Sequence, residues 1–394
     1  MMHFILNIVQ IIAVIGFMSS SLYYLICLWS ALKFLDERES GEAARPTQVL
    51  PPISILKPLK GTDPEIYESF HSHCLQDYPE YEIIFGVSDP NDPAIESVRA
   101  VQQEFPDLRI QLVVSPKILG ANVKVSNLAQ MLLQARHDYL IINDSDIRVE
   151  PDYLRRVTAP LAEPRVGMVT CLYRGVAAAT LGSCLEALGI STDFCPSVLA
   201  ARQLEGIHFG LGSTLAFRRA ELEQIGGFTS FVDYLADDYE LGNRIAGLGL
   251  AVELSEIVVE TYLPPYNLRE FFAHQLRWAR GVRDARAGGY LGLVFTFGIP
   301  WALVALAASR ELWAWAALAF TLLLRLAIAL VVGRNVLKDR QVLKYLWLIP
   351  LRDLVALAVW IASLCGHTVT WRGDRFRLKD GKLYRIPSQT TSDV

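Results

Sequence analysis

The sequence predicts an α/β fold, one doubly wound and mostly parallel sheet held between membrane helices at the two ends of the chain. Three observations predict it. Short β-rich runs, ISIL, YEIIFGV, RIQLVVS, YLIIND and VGMVTCLY, alternate with helix-length segments such as 93–104 and 122–136, the pattern of strands covered by helices on both faces. The 394 residues are 52% hydrophobic with a mean hydropathy of +0.29, too apolar for a chain of this length standing wholly in water. The apolar excess gathers at the ends and leaves 45–286 with the composition of a soluble domain, about 240 residues and the size of one α/β unit.

The N-terminal element comes first. No charged residue interrupts 4–32, so residues 1–35 are expected to form one transmembrane anchor. The run starts without Lys or Arg and outlasts the apolar core of a secretory signal, which favours an uncleaved helix. Lys33 and Arg38 follow it, and by the positive-inside rule the next segment is cytoplasmic. Within 45–286 the last stretch, 267–286, is dense in aromatic and arginine residues and reads as an interfacial amphipathic helix. The C-terminal membrane region is 290–366, with full spans at 290–308 and 312–333. Pro350, Arg352 and Asp353 interrupt 345–366, which is therefore expected to be a re-entrant or interfacial hairpin that keeps the basic tail, 367–394, cytoplasmic. Arg325 lies inside a span and is expected to face protein, since an ionised group facing lipid costs at least ~2.5 kcal/mol.

Composition removes several functions. Lys and Arg number 37 against 41 Asp and Glu, a net charge of −4, without the basic excess of a nucleic-acid binder. The six cysteines form no CxxC pair and offer no zinc spacing. Neither GxGxxG nor GxxxxGK[ST] occurs, which disfavours a dinucleotide site and a P-loop.

In an α/β sheet the ligand sits beyond the carboxyl ends of the strands, so polar residues that end apolar strands are the candidates. YLII runs into NDSDI and delivers Asp144 and Asp146 one residue apart. Two hard oxygen ligands at that spacing suit Mg²⁺ or Mn²⁺ shared with a diphosphate, the alternative being an Asx cap on the next turn. YEIIFGV runs into SDPNDP, where Asp89 and Asp92 taken alone read as turn residues. GANVKVSNL sets Gly120, Asn122 and Lys124 at a helix start, where free N–H groups and an ammonium can hold a phosphate. Asp237 and Asp238 open another amphipathic helix; an N-terminal cap needs only one of them, so the pair offers substrate contacts or a general base.

Taken together, SDPNDPAI, NDSDI, ADDYELG and HQLRW, in that order between an N-terminal anchor and C-terminal spans, resemble the ceramide glucosyltransferases and their bacterial relatives. These are inverting nucleotide-sugar transferases with the single-domain A-type glycosyltransferase fold. The resemblance runs from SILKPLKGTDP to WRGDRFRL and covers nearly the whole chain. It implies that Asp89 contacts the nucleoside, that Lys124 lies near the diphosphate, and that Asp144 and Asp146 hold the metal and the sugar phosphate. It further implies that Asp238 is the base that deprotonates the acceptor, leaving Asp237 on the substrate-binding side. Arg277 and Trp278 match the end of the (Q/R)xxRW motif, whose first position here is His274. The implied activity is transfer of one glucose or N-acetylglucosamine from a UDP-sugar to a lipid hydroxyl. The animal ceramide enzymes carry DSG and His-Pro where this chain has DSD and Cys195-Pro196, so a hopanoid polyol stays open beside ceramide as acceptor. Too few spans are expected for the channel of a processive polysaccharide synthase. A multi-pass protein of the bacterial inner membrane with a cytoplasmic catalytic domain is the expected setting.

Overall fold

A computed structural model describes residues 2–43, 50–371 and 373–387. Its internal contacts divide them into two units. One gathers the N-terminal helix Met2–Ala43 with Ala177–Glu205 and Pro265–Gly366; the other holds the described parts of 44–176, Gly206–Pro264 and 367–394.

The second unit is built on an eight-stranded sheet of β1 (Ile53–Pro58), β2 (Tyr81–Val87), β3 (Arg109–Val114), β4 (Tyr139–Ile142), β5 (Ile147–Arg148), β6 (Val166–Val176), β7 (Leu215–Arg218) and β8 (Ala251–Tyr262), in the order β3-β2-β1-β4-β7-β6-β8-β5. The strands β3, β2, β1 and β4 are parallel, as their apolar runs predicted. The other half is mixed: β7 pairs antiparallel with both β4 and β6, β8 is parallel to β6, and β5 closes antiparallel on β8. β1, β2 and β4 bury Ile53, Ile55, Leu56, Ile83, Ile84, Phe85 and Leu140–Ile142 almost completely, which is why they read as continuous apolar runs rather than alternating ones. The helix Ala94–Glu104 supplies Ala94, Ile95, Val98 and Val101 from one face, the spacing of an amphipathic helix on a sheet. The chain winds outward through β2 and β3 and then returns to place β4 on the other side of β1. The carboxyl ends of β1 and β4 are therefore the topological switch point.

The described tail folds into this unit as a three-stranded meander, β9 (Thr368–Trp371), β10 (Asp374–Lys379) and β11 (Lys382–Arg385). Strand alternation turns Phe376 and Leu378 inward, where they join Val369 and Leu383 against Ala121 and Leu235, while Arg375, Arg377 and Lys379 stay exposed. Leu383 N–H donates to Asp233 O at 2.7 Å and Leu235 N–H to Gly381 O at 3.0 Å.

The helical unit departs from expectation in three places. Leu181–Leu204, read from sequence as part of the soluble domain, is, among the described residues, one of four helices long and apolar enough to cross a membrane, and 78% of its apolar window is buried inside the structure. The segment 290–308 is not a straight span: Ala287–Thr296 and Gly298–Ala308 meet at 51°. The segment 345–366 is not a hairpin but carries one continuous helix, Ile349–Leu364. Pro350 falls in its first turn, where a missing N–H breaks no helical bond. Asp353 pairs with Arg325 at 2.5 Å, and Arg352 donates to Gln275 Oε1 at 3.1 Å. Each of the two charges that looked like interruptions thus meets a partner distant in sequence. Arg325 is buried, as expected, and also donates to Thr192 O and Asp193 Oδ1, each at 2.7 Å.

Candidate active site

β4 delivers the acidic turn at the switch point. Asn143, fully buried, donates from Nδ2 to Tyr153 Oη and Ser213 O, each at 2.8 Å, and pins the turn. Asp144 keeps 40% of its side chain exposed. The carboxylate of Asp146 turns back to accept from the Thr261 hydroxyl on β8. The helix Val123–Met131 starts at Asn122, whose Oδ1 accepts from Val125 N–H at 3.1 Å and whose Nδ2 donates to Tyr234 O at 2.8 Å and Asp237 Oδ1 at 3.3 Å. One side chain thus caps its own helix and ties it to the start of the helix Asp237–Gly247. From the first turn, Lys124 Nζ reaches Asp144 Oδ1 at 2.8 Å and Asp237 Oδ2 at 3.1 Å. Asp238 accepts from Tyr239 N–H through Oδ1 at 2.8 Å. Its Oδ2 and that of Asp144 flank Gly212, where a Cβ would stand 3.3 Å and 3.1 Å from them. Only a bare backbone leaves that space open.

The electrostatics follow from this packing. Burial alone would lower the Lys124 ammonium, but the Asp144, Asp237 and Asp238 carboxylates outweigh it and hold its pKa above the usual lysine range. Burial, with Asp237 adding to it and Lys124 opposing, raises Asp238 to about 6. Burial and the neighbouring Asp144 raise Asp146 to about 6 as well. Lys57, at the end of β1, is entirely buried and donates to Asp144 O at 3.0 Å. Burial pushes its ammonium down to about 7 against the pull of Asp146 and Asp144.

The structure therefore brings Lys124, Asp144, Asp237 and Asp238 together, with Asp146 in the same turn as Asp144. Asp89 is exposed and closes its own turn by accepting from Asn91 N–H at 2.9 Å; among the described residues no hydrogen bond or ion pair joins it to Lys124. Its neighbour Asp92 is the structural one, buried and accepting from Gly61 N–H at 2.9 Å and Ala94 N–H at 2.9 Å. His274, Arg277 and Trp278 lie on the helix Leu268–Ala285 of the helical unit. His274 stacks on Tyr266 at 5.3 Å, with Trp278 at 5.1 Å. Lys57, Thr261 and Gly212 were missed in the sequence; for Lys57 the signal was a lysine inside an otherwise apolar strand.

For a divalent cation, Asp144 and Asp146 offer hard oxygens with no thiol or imidazole among them. Among the described residues no group of three or more His, Cys, Asp or Glu is arranged to hold a metal by itself, so a cation here needs oxygens from a bound donor.

The family model of glycosyl transferase family 21 matches residues 12–384. The chain belongs to glycosyl transferase family 21. Its expected class, a glycosyltransferase, is thereby borne out. The family 21 chain is 24% identical over 388 residues to ceramide glucosyltransferase 3 of Caenorhabditis elegans, covering 95% of this chain and 83% of that protein. To ceramide glucosyltransferase 1 of the same organism it is 23% identical over 355 residues, 86% and 74%. Among solved structures it is similar to the mannosyltransferase PcManGT from Pyrobaculum calidifontis in complex with GDP-Man and Mn²⁺, with a TM-score of 0.53 and 20% identity over 91% of this chain and 99% of that one. That likeness supports the A-type glycosyltransferase fold of the sheet unit.

Proposed function

We propose that this family 21 chain is a membrane-bound inverting hexosyltransferase that moves one sugar from a UDP-sugar to the hydroxyl of a lipid. The observation that carries the reading is the cluster of Lys124, Asp144, Asp237 and Asp238 at the switch point, in a chain related along most of its length to ceramide glucosyltransferases. Asp89 contacts the nucleoside. Lys124 and the N–H groups of its helix start bind the diphosphate, as a helix N-terminus suits an anion. Asp144 and Asp146 would hold Mg²⁺ or Mn²⁺, which supplies neutralising charge for the leaving diphosphate; the Mn²⁺ in the PcManGT complex supports this use of the fold. Asp238 takes the proton of the lipid hydroxyl as that oxygen bonds to the anomeric carbon and the bond to the diphosphate breaks, so UDP leaves and the centre inverts. Asp237 keeps Lys124 in place. Arg277 and Trp278 serve substrate binding from the amphipathic helix.

Contacts within the helical unit support a topology. Gln10 Nε2 donates to Ala308 O at 2.9 Å, near the start of the N-terminal helix. At its other end Glu37 pairs with Arg202 at 2.8 Å. Gln341 Oε1 accepts from Ala177 N–H, the residue that directly follows β6, at 2.9 Å. In this reading the bent pair and Leu312–Val336 cross the bilayer and Leu346–Leu364 does not. The positive-inside rule then puts Arg334, Lys338, Arg340 and Lys344, and the basic tail, on the cytoplasmic face of a bacterial inner membrane.

The reading is tested by supplying purified protein with radiolabelled UDP-glucose or UDP-N-acetylglucosamine in vesicles that contain ceramide or a hopanoid polyol, with and without EDTA. Label in the lipid extract, abolished by EDTA, supports it. Label that stays wholly in the aqueous phase with every acceptor overturns it.

A further inference from the structure

β1 carries a lysine at a position where packing alone calls for an apolar residue. All six residues of the strand are buried, and it lies between β2 and β4 with parallel pairing on both sides. Such a strand takes Val, Ile or Leu, and an amine stripped of water is costly there unless it makes a bond that an apolar side chain cannot. Lys57 has no exposed surface. Its Nζ reaches the acidic turn and donates to the main-chain oxygen of Asp144 at 3.0 Å, with the centre of the Phe70 ring 5.9 Å away. The acceptor is a carbonyl, not a carboxylate.

The end of the strand ladder explains why a side chain is needed at this point. The pairing of β1 with β4 stops at Leu56 and Ile142, and the last backbone bond between them runs from Asn143 N–H to Leu56 O at 3.3 Å. Backbone groups of successive strand residues face opposite neighbours. Ile53 and Leu59 donate toward β2, to Glu80 O and Gly86 O, whereas Leu56 faces β4. The next donor on β1 facing β4 would be residue 58, which is Pro58 and has no N–H. β1 therefore offers no further main-chain donor to the departing turn, and Lys57 Nζ supplies one.

That bond falls on the residue whose direction matters. The Asp144 carboxylate accepts from Lys124 Nζ at 2.8 Å and, with Asp238, flanks the space at Gly212. Other side-chain ties of the turn hold its neighbours: Asn143 donates to Tyr153 and Ser213, and Ser145 Oγ donates to Asp63 Oδ2 at 2.5 Å. The main-chain oxygen of Asp144 is held by Lys57 and, within the turn, by Ile147 N–H at 3.3 Å. We infer that Lys57 is a positioning residue of the donor site, whose Nζ anchors the Asp144 main chain and so aims the Asp144 carboxylate at Lys124 and the space beside it. Lys57 acts through Asp144 and touches no substrate. The inference rests on the nucleotide-sugar reading above and adds to it a residue outside the acidic motifs.

The test measures UDP binding by isothermal titration calorimetry on the full-length protein in nanodiscs with Mg²⁺ present, alongside the melting temperature. Lys57→Met keeps the length of the side chain and removes the donor. Its Kd for UDP is expected to rise roughly tenfold, the scale of one lost charge-assisted hydrogen bond, while the melting temperature stays level or rises, because an apolar side chain replaces a buried polar one. In an Asp144→Asn background the same change is expected to add less than about twofold, since the carboxylate that Lys57 aims is gone. If Lys57→Met folds poorly, Lys57→Gln, one bond too short to reach the carbonyl, reads the same Kd. An unchanged Kd in a folded Lys57 variant, or an equal factor in the Asp144→Asn background, overturns the inference. Unfolding of both variants also overturns it, since Lys57 would then serve stability alone. A wild type that binds no UDP would instead remove the reading on which the inference rests.

Discussion

Asp237 and Asp238 are neighbours with different employment. Asp237 is held by Lys124 and Asn122, whereas Asp238 Oδ2 is turned toward the space at Gly212; successive helical positions point about 100° apart. Asp238→Asn is expected to lower kcat by ~10²–10⁴-fold, the scale of a lost general base, with the Kd for UDP-sugar nearly unchanged, and Asp237→Asn to act mainly on donor binding through Lys124. Near-normal turnover in Asp238→Asn, or a loss confined to donor affinity, would reject the assignment. Burial raises the Asp238 carboxyl to about 6, and only the ionised form accepts a proton. The kcat of the wild type should therefore fall as pH drops through about 6 and level off above it; a kcat independent of pH between 5 and 8 would show that another group limits the step. Motif position made these residues legible, because each carboxylate follows an apolar strand or opens a helix. Thr261 was not: its bond to Asp146 joins residues 115 apart in sequence, and no local pattern encodes such a pair.

Strands and helices were legible where burial and period agree. β1 to β4 and β6 appear in the sequence as apolar runs. β5 has two residues and no period to read. β8 buries every second residue along most of its length, yet Glu253, Glu256 and Glu260 on its other face dilute its hydropathy. The interruption read at 350–353 misled because hydropathy does not register that Arg352 and Asp353 have partners elsewhere in the fold. The tail looked like a charged extension, whereas alternation makes it a meander whose apolar face packs against Leu235, two residues before Asp237. Phe376 is 2% exposed, and Phe376→Ala should cost about 3–5 kcal/mol of the meander's packing. The expected outcome is lower activity together with faster proteolysis of the tail; unchanged activity with a cleaved tail would mean that the meander does not position the acidic pair.

At the scale of the molecule, the topology predicts where short reporter fusions land. One placed in the 309–311 connection should report the outer compartment, while one near Lys338 and one after Lys382 should both report the compartment of the catalytic sheet. Opposite sides for the last two would mean that Leu346–Leu364 crosses. The central claim is a single displacement on a nucleotide sugar, with Asp238 drawing the proton from a lipid hydroxyl. It is tested most directly by the anomeric configuration of the glycolipid formed from an α-linked UDP-sugar, read by the proton coupling at the anomeric carbon in the NMR spectrum of the purified product. A β-linked product is predicted, and an α-linked product would contradict the mechanism.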